Sequence, residues 1–544
     1  MKPPSMTSSS AQKTHPDIKT GFFNFSQIEK YFLKASVGDV FQQISDRTFQ
    51  DLDMADVFRF ADRTVSSVGQ QYLYHMMRTI PPDADRNEKL ESTIRIFKKN
   101  PASRTALTKE IARLDQKDAY YITSLFQEQY MQRPKWFWLI QCLSGISMLS
   151  VMLAFFFPQI LIFLIVLLPV NLAIHYWNKN NLYRYASSLP QLVLLNKTAR
   201  RILKTAEFAG SDPELHKSVR ILDQLGLAMS VFKIEAKLQS EIGQFVEYFV
   251  ELIKALFLIE PVLLFATLRM LDSRRKDISN VYHFVAGIDV ALSVMNLRES
   301  VPYYCEPTLG TNNIELIIKE VYHPLIFDGV ANDISLNPKS ALLTGSNMSG
   351  KTTFIRTVGI NAILGQTINT CLAKEFIMPV MKIHSSIRIS DDLLSDKSYY
   401  FEEVSAVKQL LEESRSGACN LFLLDELFKG TNSVERIAVG KSVLSYLVQA
   451  GNFVLVSTHD RELADYLTET FTIYHFTEVI HGNDIRFDYK IKPGKLATTN
   501  AIRILELNNY PPEVVHEALN ISAEMKVGNN FFKHQPDKSS NQTS

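Results

Sequence analysis

The sequence predicts an α+β multidomain protein in which a helical domain, interrupted by a transmembrane hairpin, precedes an α/β domain. A run of 42 residues without Asp, Glu, Lys or Arg extends from Trp136 to Trp177. Helical periodicity dominates residues 178–300, and apolar strands alternate with helical segments after Ile314. At 544 residues the chain is also too long for a single hydrophobic core.

These patterns divide the chain into four segments. Residues 1–20 are polar and rich in Ser, Thr and Pro, and they lack the central apolar stretch of a signal peptide. We expect them to form a disordered tail, as we do residues 521–544 at the other end. Residues 21–310 form the predicted helical domain, and residues 311–520 form the predicted α/β domain.

Charge and cysteine content restrict the classes of function. The formal net charge is +1, so the chain as a whole lacks the strongly basic character of a dedicated DNA-binding module. Any contact with nucleic acid must therefore be local. The cysteines form no CxxC pair, which argues against a zinc site and against a disulfide framework. They are Cys142, Cys305, Cys371 and Cys419.

The uncharged run is too long for one membrane crossing. A hydrocarbon core of about 30 Å takes roughly 20 helical residues, so we divide the run into crossings at about 136–157 and 160–177. Pro158 and Gln159 mark the turn. The three tryptophans of the chain lie at its two ends, where interfacial aromatic anchors are expected.

Basic residues flank the run on both sides, at Arg133, Lys135, Lys179 and Arg184. Positive charge at both flanks predicts that both ends face the cytoplasm, which places the chain in the cytoplasmic (inner) membrane with the α/β domain in the cytoplasm. The alternative is a helical hairpin buried inside a soluble core. A further apolar stretch, Ala255 to Leu271, contains Glu260 and Pro261, and we interpret it as a core helix.

The segment from Ser340 to Leu364 predicts a strand, a glycine-containing loop and a helix. The loop is a full G-x-x-x-x-G-K-[ST] match, in which backbone N–H groups cradle phosphates at a helix N-terminus. Lys351 would reach the β and γ phosphates of ATP, and the Thr352 hydroxyl would bind magnesium. The predicted nucleotide-binding residues are Gly345, Ser346, Asn347, Met348, Ser349, Gly350, Lys351, Thr352 and Thr353.

Two later strands end in polar residues. The apolar run Leu421 to Leu424 ends in Asp425 and Glu426, as a Walker B strand does. Because parallel strands present their carboxyl ends at one sheet edge, Asp425 can bind magnesium there while Glu426 orients and deprotonates the attacking water. The strand in NFVLVSTHD ends near His459, where a catalytic sensor of the γ-phosphate would lie.

Taken together, the segments TGSNMSGKTT, DELFKGTNS and STHDREL resemble the ATPase domain of the MutS mismatch-repair family. The segment RISDDLLSDKSYYFEEV resembles the family segment whose serine contacts nucleotide across a dimer. This resemblance implies that Ser398 has that role and that the family's glutamate corresponds to Glu403. It also implies a homodimer formed through the ATPase domains, which ATP closes and hydrolysis reopens.

The stretch from Asp51 to Pro82 resembles the start of the MutS core domain. Two departures from the family matter. Only 50 residues of the sequence precede Asp51, and GFFNF at Gly21 contains no Phe-x-Glu wedge, which puts mismatch recognition in doubt. The hairpin occupies the core, and residues 178–300 are few for a full lever and clamp. The basic cluster at Arg274, Arg275 and Lys276 is either a phosphate contact or a solvated helix end.

Three functions follow from these observations. The first is a membrane-tethered ATPase of the mismatch-repair family that binds mismatched or structured DNA. The second is a membrane-anchored ATPase switch that acts on proteins. The third is a scaffold that binds ATP with negligible turnover, against which the intact Lys351, Asp425 and Glu426 argue. ATP and magnesium are the expected ligands in each case, and DNA binding stays open.

Overall fold

The protein has the mixed α+β character that the sequence predicts. The computed structural model describes residues 19, 23–35, 40–225, 244–310, 315–337, 339–346, 348–388, 399–481, 484–496, 501–507 and 510–532. The chain divides into two compact units. The helical unit contains residues 1–43 and 58–302, and the α/β unit contains residues 44–57 and 303–544.

In its described residues, the helical unit consists of helices and one short two-stranded ladder, in which β1 (Gln42–Gln43) and β2 (Thr79–Ile80) pair antiparallel. The helix Met54–Ala61 crosses the boundary between the units. The other helices are Phe25–Ile28, Lys30–Lys34, Ser67–Arg78, Asp85–Lys99, Pro101–Ile111, Ser124–Gln127, Phe137–Ala154, Ile160–Ala186, Ser188–Leu203, 213–225, Gln244–Leu256, Ile259–Asp272 and Arg275–Ser300, with 3₁₀ turns at Ala112–Leu114 and Lys117–Thr123.

The core of this unit forms where the helix Arg275–Ser300 packs against the helix Ser67–Arg78. The Asp289 carboxylate is fully buried and accepts hydrogen bonds from the backbone N–H groups of Val65 and Ser66, both at 2.9 Å. Ser66 also caps the helix Ser67–Arg78, because its Oγ accepts a hydrogen bond from Gly69 N at 3.0 Å. A Cβ at Gly69 would lie 2.1 Å from Asp289 Oδ2, so the close approach of the two helices requires glycine there.

Three helices of the described residues are long and apolar enough to cross a membrane, by length and composition alone. Two of them, Phe137–Ala154 and Ile160–Ala186, lie where the sequence predicts the two crossings, and only 22% of each apolar window is buried. The Trp136 and Trp177 rings lie 4.8 Å apart, which brings the two ends of this hairpin together. The third helix, Arg275–Ser300, is 72% buried and forms the core described above.

The predicted single core helix from Ala255 to Leu271 is wrong in one respect. One helix ends at Leu256 and another begins at Ile259, with Leu258 between them at a φ of 49°. The physical reason is Pro261, which is accommodated in the first turn of a helix, where its missing N–H needs no partner, but not in a helix interior. Leu258 and Phe265 pack against Phe137 of the hairpin in one hydrophobic cluster.

Polar contacts join the second hairpin helix to the helix Gln244–Leu256. Asn171 Nδ2 donates to the Leu256 carbonyl at 2.7 Å, and His175 Nε2 lies 3.1 Å from Glu251 Oε2. His175 and Asn171 are almost completely buried. His175, Glu251 and the buried Glu260 form a group with metal-ligating atoms, but the Lys254 ammonium lies 3.1 Å from Glu260 and 3.3 Å from Glu251 and offsets both carboxylates.

Among its described residues, the α/β unit contains three sheets. Their strands are β3 (Thr308–Gly310), β4 (Leu316–Val321), β5 (Asn332–Leu336), β6 (Ser340–Thr344), β7 (Glu375–Pro379), β8 (Lys382–Ser386), β9 (Asn420–Asp425), β10 (Phe453–Ser457), β11 (Phe471–His475), β12 (Glu478–His481), β13 (Asp484–Phe487) and β14 (Lys492–Pro493). The six-stranded sheet has the order β14-β11-β6-β10-β9-β8 and is parallel except for the pair β11–β14. A four-stranded sheet has the order β3-β7-β4-β5, and β12 pairs with β13.

Strands β6, β9 and β10 are largely apolar and are buried along almost their whole length, as is typical of the central strands of a parallel sheet. The helix Lys351–Ile368 follows β6 and is buried along almost its whole length. The other helices are Asp46–Asp51, Tyr399–Glu413, Ser433–Leu447, Arg461–Tyr466, Ala501–Leu507 and Pro512–Phe532, with a 3₁₀ turn at Gln449–Gly451. Parallel pairing places the carboxyl ends of β6, β9 and β10 side by side.

The segment 44–57 packs within the α/β unit, although the sequence analysis assigned it to the preceding domain. The Asp51 carboxylate is 2% exposed and accepts hydrogen bonds from Ser385 Oγ at 2.6 Å, Ile387 N at 3.0 Å and Arg388 N at 2.9 Å. These donors lie at and just beyond the end of β8. The same carboxyl edge of the sheet carries the candidate site.

Candidate functional site

The loop between β6 and the helix Lys351–Ile368 is shaped by two glycines with positive φ. Gly345 has a φ of 151°, and a Cβ there would lie 2.7 Å from the Phe476 carbonyl oxygen. Gly350 occupies the N-cap position of the helix with a φ of 104°. Both positions therefore require glycine. The helix N-terminus behind the loop presents backbone N–H groups and the positive end of its dipole.

Lys351 lies beneath this loop and is 5% exposed. Its Nζ donates hydrogen bonds to the carbonyl oxygens of Gly345 and Ser346, each at 2.9 Å. Burial lowers the pKa of the Lys351 ammonium, and the nearby carboxylates of Glu426 and Asp425 act in the opposite direction. A buried positive charge is thereby held against the turn of the loop.

Two serines complete the inner surface of the loop. Ser346 Oγ donates to Glu478 Oε2 at 2.8 Å, which ties the loop to the first residue of β12. Ser349 is 2% exposed, and its Oγ donates to the Ser346 carbonyl at 2.8 Å. The loop conformation is therefore stabilised by its own hydroxyl groups and by one carboxylate from outside.

The other predicted residues of the loop differ in position. Met348 has a φ of 70° and is 82% exposed, so its side chain extends away from the loop interior. Thr353 lies in the first turn of the helix with its side chain exposed. Asn347 and Ser398 lie outside the described residues, and their predicted roles stay predictions.

The Thr352 hydroxyl and the Asp425 carboxylate are brought into contact across the sheet edge. Thr352 Oγ1 donates to Asp425 Oδ2 at 2.8 Å, and Ser457 Oγ donates to Asp425 Oδ1. Ser457 and Asp425 are direct partners in the ladder between β10 and β9. Hydroxyl and carboxylate oxygens are ligands that suit magnesium, so these side chains have the chemistry of a magnesium site.

Glu426, the next residue, is held by two cationic or potentially cationic partners. Its Oε1 lies 2.6 Å from His459 Nε2, and its Oε2 lies 2.9 Å from Lys429 Nζ. The hydrogen bond with His459, followed by that with Lys429, lowers the pKa of Glu426 to about 2, against the opposing effect of burial. Glu426 is thus an ionised carboxylate at neutral pH.

The backbone around Glu426 is unusual, with φ of 50° at Glu426 and 61° at Phe428. Both are non-glycine residues in the left-handed region, which requires support from neighbouring groups. Glu426 N donates to the Ser457 carbonyl at 2.9 Å, and Phe428 N donates to Glu403 Oε1. Glu403 is 1% exposed, and burial raises the pKa of its carboxyl group. In the structure, Glu403 therefore supports the turn that carries Glu426.

The turn that carries His459 is fixed from the side of the helix Ser433–Leu447. Arg436 makes a paired contact with Asp460, with Nε–Oδ2 and Nη2–Oδ1 distances of 2.8 and 2.7 Å. Thr458 Oγ1 accepts from Asp460 N at 3.0 Å, which closes the turn. The imidazole of His459 is thereby positioned at the edge that also carries Glu426.

The side chains predicted to act on the phosphates and on magnesium therefore lie together at one edge of the six-stranded sheet: Lys351, Thr352, Asp425, Glu426 and His459. Four residues that hold these side chains in place carry no motif that predicts this role from the sequence: Lys429, Arg436, Asp460 and Glu478. Lys429 lies three residues after Glu426, and that spacing was the one local signal available. Glu478 comes from a distant strand, so only the fold reveals its contact with Ser346.

One protein-family model matches the part of the chain that contains this site. The family model for MutS domain V matches residues 341–526, which include the loop, both carboxylates and His459. The carboxy-terminal part of this chain is therefore similar to domain V of MutS. The match to the family model ends within the helix Pro512–Phe532.

Relatives of the MutS family support this assignment. The chain is similar to DNA mismatch repair protein MutS 2 of Haloarcula marismortui, with 25% identity over 273 residues. That alignment covers 45% of this chain and 28% of the relative. MutS of Natronomonas pharaonis is 27% identical over 244 residues, covering 43% and 28%. MutS of Thermus thermophilus is 29% identical over 240 residues, covering 43% and 29%.

These alignments cover less than one third of each relative. They concern the MutS-type α/β unit, and the activity and partners of the relatives' remaining parts do not follow from them.

Proposed function

We propose that this chain is a membrane-tethered MutS-type ATPase. The observation that carries the proposal is the contact between Thr352 Oγ1 and Asp425 Oδ2 beside the buried Lys351 ammonium. It joins the glycine loop and the strand end into one site with the charges that a magnesium-bound triphosphate requires. Membership of the MutS family supports a mismatch-repair-like role for the switch that this site drives.

Each group of the site has a role in binding. The N–H groups of the Gly345–Gly350 loop and the helix N-terminus would hold the phosphates of ATP, and Lys351 would neutralise part of their charge. Thr352 and Asp425 would hold magnesium, which when bound offsets charge on the phosphates. The predicted contact of Ser398 with the nucleotide of a second copy would make the active species a homodimer.

Glu426 is the best candidate for the general base of hydrolysis. It is ionised, lies next to Asp425 at the sheet edge, and has a hydrogen-bond partner, His459, in the position predicted for the γ-phosphate sensor. A carboxylate there would orient the attacking water and accept its proton. His459 would then help to position Glu426 and to stabilise charge near the γ-phosphate.

The ATPase proposal is tested with two variants and two measurements on the full chain. Glu426→Gln should retain binding of a fluorescent ATP analogue and lower turnover by roughly 100-fold to 10,000-fold, the usual contribution of a general base. Lys351→Ala should lose binding itself. Lys408→Ala, an exposed lysine of the helix Tyr399–Glu413, is the matched control. Undiminished turnover in Glu426→Gln would show that the base is misassigned.

The membrane tether is supported by the surface of the hairpin. Phe155 is 89% exposed and Ile165 is 69% exposed, as are many other apolar side chains on these two helices. An apolar surface of this extent is unfavourable in water and favourable in a bilayer. With basic residues at both flanks, the cytoplasmic membrane is the proposed location, with the α/β unit in the cytoplasm.

Carbonate extraction of membranes tests the tether. The intact chain should stay in the membrane fraction, and a variant lacking residues 136–177 should be released. The Trp136–Trp177 contact places the two cut ends close together, which allows a short linker to replace the hairpin. Complete extraction of the intact chain by carbonate would rule out an integral hairpin.

What the switch acts on has two candidate answers. The family assignment favours mismatched or structured DNA, whereas the net charge of +1 favours a switch that acts on other proteins. Binding of detergent-solubilised protein to duplex and branched DNA separates them. DNA binding should weaken steeply as salt is raised, because it releases counterions from the phosphates. No retention on DNA at low salt, with or without ATP, would leave the protein-directed switch.

A further inference from the structure

A cavity lies at the base of the helical hairpin, within the helical unit. Its volume is about 450 Å³. The segment before the first hairpin helix forms one side, and the helix Ile259–Asp272 forms the other. It is lined by Tyr130, Met131, Gln132, Arg133, Phe265, Leu268, Arg269 and Asp272. A space of this size accommodates a compact polar headgroup together with the beginning of an apolar chain.

The cavity carries an excess of positive charge. Arg133 and Arg269 both line it and are exposed, and among the described residues neither guanidinium has a hydrogen-bond or ion-pair partner. The one acidic residue of the lining, Asp272, has its carboxylate 2.8 Å from Arg275 Nε and is already offset. Two guanidinium groups are therefore available to an anionic ligand, and their planar geometry suits a phosphate.

The inner wall of the cavity is apolar, in contrast to the two guanidinium groups. Phe265 and Leu268 are buried there, and the Phe265 ring makes an edge contact with Phe137 at 5.2 Å. Phe137 is the first residue of the first hairpin helix. The cavity thus combines two cations with an apolar wall that is continuous with the hairpin.

Its position along the hairpin is equally informative. Arg133 precedes the first hairpin helix by four residues, and the paired rings of Trp136 and Trp177 lie at the same end of the hairpin. Tryptophan pairs of this kind mark the boundary between hydrocarbon and water. A cavity beside this boundary lies at the depth of lipid headgroups.

We propose that this cavity binds the headgroup of an anionic phospholipid, with Arg133 and Arg269 on the phosphate and the proximal acyl chain along Phe265 and Leu268. The inference rests on the membrane tether proposed above and adds a lipid specificity to it. Basic pockets at the cytoplasmic end of membrane helices are suited to anionic lipids, because that surface carries the negative lipid charge.

Lipid retention in native mass spectrometry tests the proposal on the full chain. The protein is reconstituted in nanodiscs of phosphatidylcholine alone or of phosphatidylcholine with phosphatidylglycerol. It is then extracted, and the mass of the protein with its bound lipids is measured. We expect the wild-type chain to retain one phosphatidylglycerol. The double variant Arg133→Gln/Arg269→Gln should bind it about 30-fold more weakly, from the usual contribution of two basic residues at a membrane surface.

The control is Arg95→Gln/Lys99→Gln, which removes the same charge from exposed positions of the helix Asp85–Lys99, outside the cavity, and should retain the lipid. Equal retention of phosphatidylglycerol by wild type and the Arg133/Arg269 variant would overturn the site. So would displacement of the lipid by soluble glycerophosphate, which would indicate a free phosphate ligand.

Failure of the tether gives a different result. If the wild-type chain does not enter nanodiscs, both proposals fail together. If the Arg133/Arg269 variant enters nanodiscs normally but loses the lipid, both proposals are supported, because the hairpin is intact in that variant.

Discussion

Replacing Asp51 tests the finding that the segment 44–57 is an integral part of the α/β unit. Its buried carboxylate accepts three hydrogen bonds, two of them from the buried residues Ser385 and Ile387. Asp51→Ala leaves those donors unsatisfied, at about 1–3 kcal/mol for each buried group. Because the Ser385 hydroxyl can rotate, we expect a loss near the lower part of that sum, about 2–4 kcal/mol.

The three tryptophans belong to the helical unit, so tryptophan fluorescence does not report on the α/β unit. Thiol labelling does, because Cys371 is fully buried there. With Cys142, Cys305 and Cys419 replaced by alanine, the labelling rate of Cys371 under native conditions follows the population of the open form. The expected loss of stability accelerates labelling by about 30-fold to 900-fold.

The neighbouring Asp53→Asn is the matched control. Asp53 contacts Arg356 at 2.9 Å and Arg388 at 2.7 Å, but its side chain is 31% exposed. Partly exposed ion pairs contribute about 0–1 kcal/mol each, so loss of these two pairs should accelerate labelling by less than about 30-fold. If Asp51→Ala and Asp53→Asn label at the same rate, the Asp51 contacts do not hold the segment and the reasoning fails.

Three further predictions concern the candidate site. Gly345→Ala should weaken ATP binding at least about tenfold in a fluorescence titration, because its Cβ would meet the Phe476 carbonyl and its φ strains any L side chain. Gly417→Ala, at an open turn, should bind ATP normally in the same titration. The pKa of Glu426 is lowered to about 2 from 4.5, so its ionised carboxylate contributes at most about 3 kcal/mol to stability. This contribution is present above pH 4.5 and is lost as pH falls towards 2. Acid unfolding of Glu426→Gln should lack this component. Lys429→Met removes one of the two partners that lower the pKa of Glu426, but the contact with His459 remains and the carboxylate stays ionised at pH 7, so ATP turnover at that pH should stay within about threefold of wild type. Turnover as low as that of Glu426→Gln would mean that the carboxylate acts through Lys429.

The local architecture of the site was predictable because its signals are short-range. A strand of apolar residues followed by two glycines and a lysine specifies β6, the loop and the helix that begins at Lys351. The strand ending in Asp425 is specified in the same way. Their meeting at one edge follows from parallel pairing, which fixes the carboxyl ends of β6, β10 and β9 side by side.

Long-range contacts were not predictable from these patterns. The Asp51 carboxylate finds its donors more than 330 residues later in the chain, and no periodicity in the segment 44–57 indicates that partner. The support of the Glu426 turn by Glu403 also depends on the fold, since the two residues belong to different elements. For Glu403 the family resemblance pointed to the residue but gave it no structural role.

The second helix of the hairpin carries a pattern of polar residues on which the prediction of the hairpin did not depend. Asn171 and His175 lie within the second predicted crossing and Asn178 follows it directly, an i, i+4, i+7 spacing that places these polar side chains on one helix face. In the structure Asn171, His175 and Asn178 are all almost fully buried, and the first two contact the helix Gln244–Leu256. The opposite face carries exposed apolar side chains such as Ile165 and Val166. A helix buried in a soluble core would be apolar on all sides, whereas a membrane helix that packs against a protein neighbour directs its polar groups to that neighbour and its apolar groups to lipid. The segregation on this helix therefore favours the membrane over the buried hairpin, on grounds that hydropathy alone does not supply.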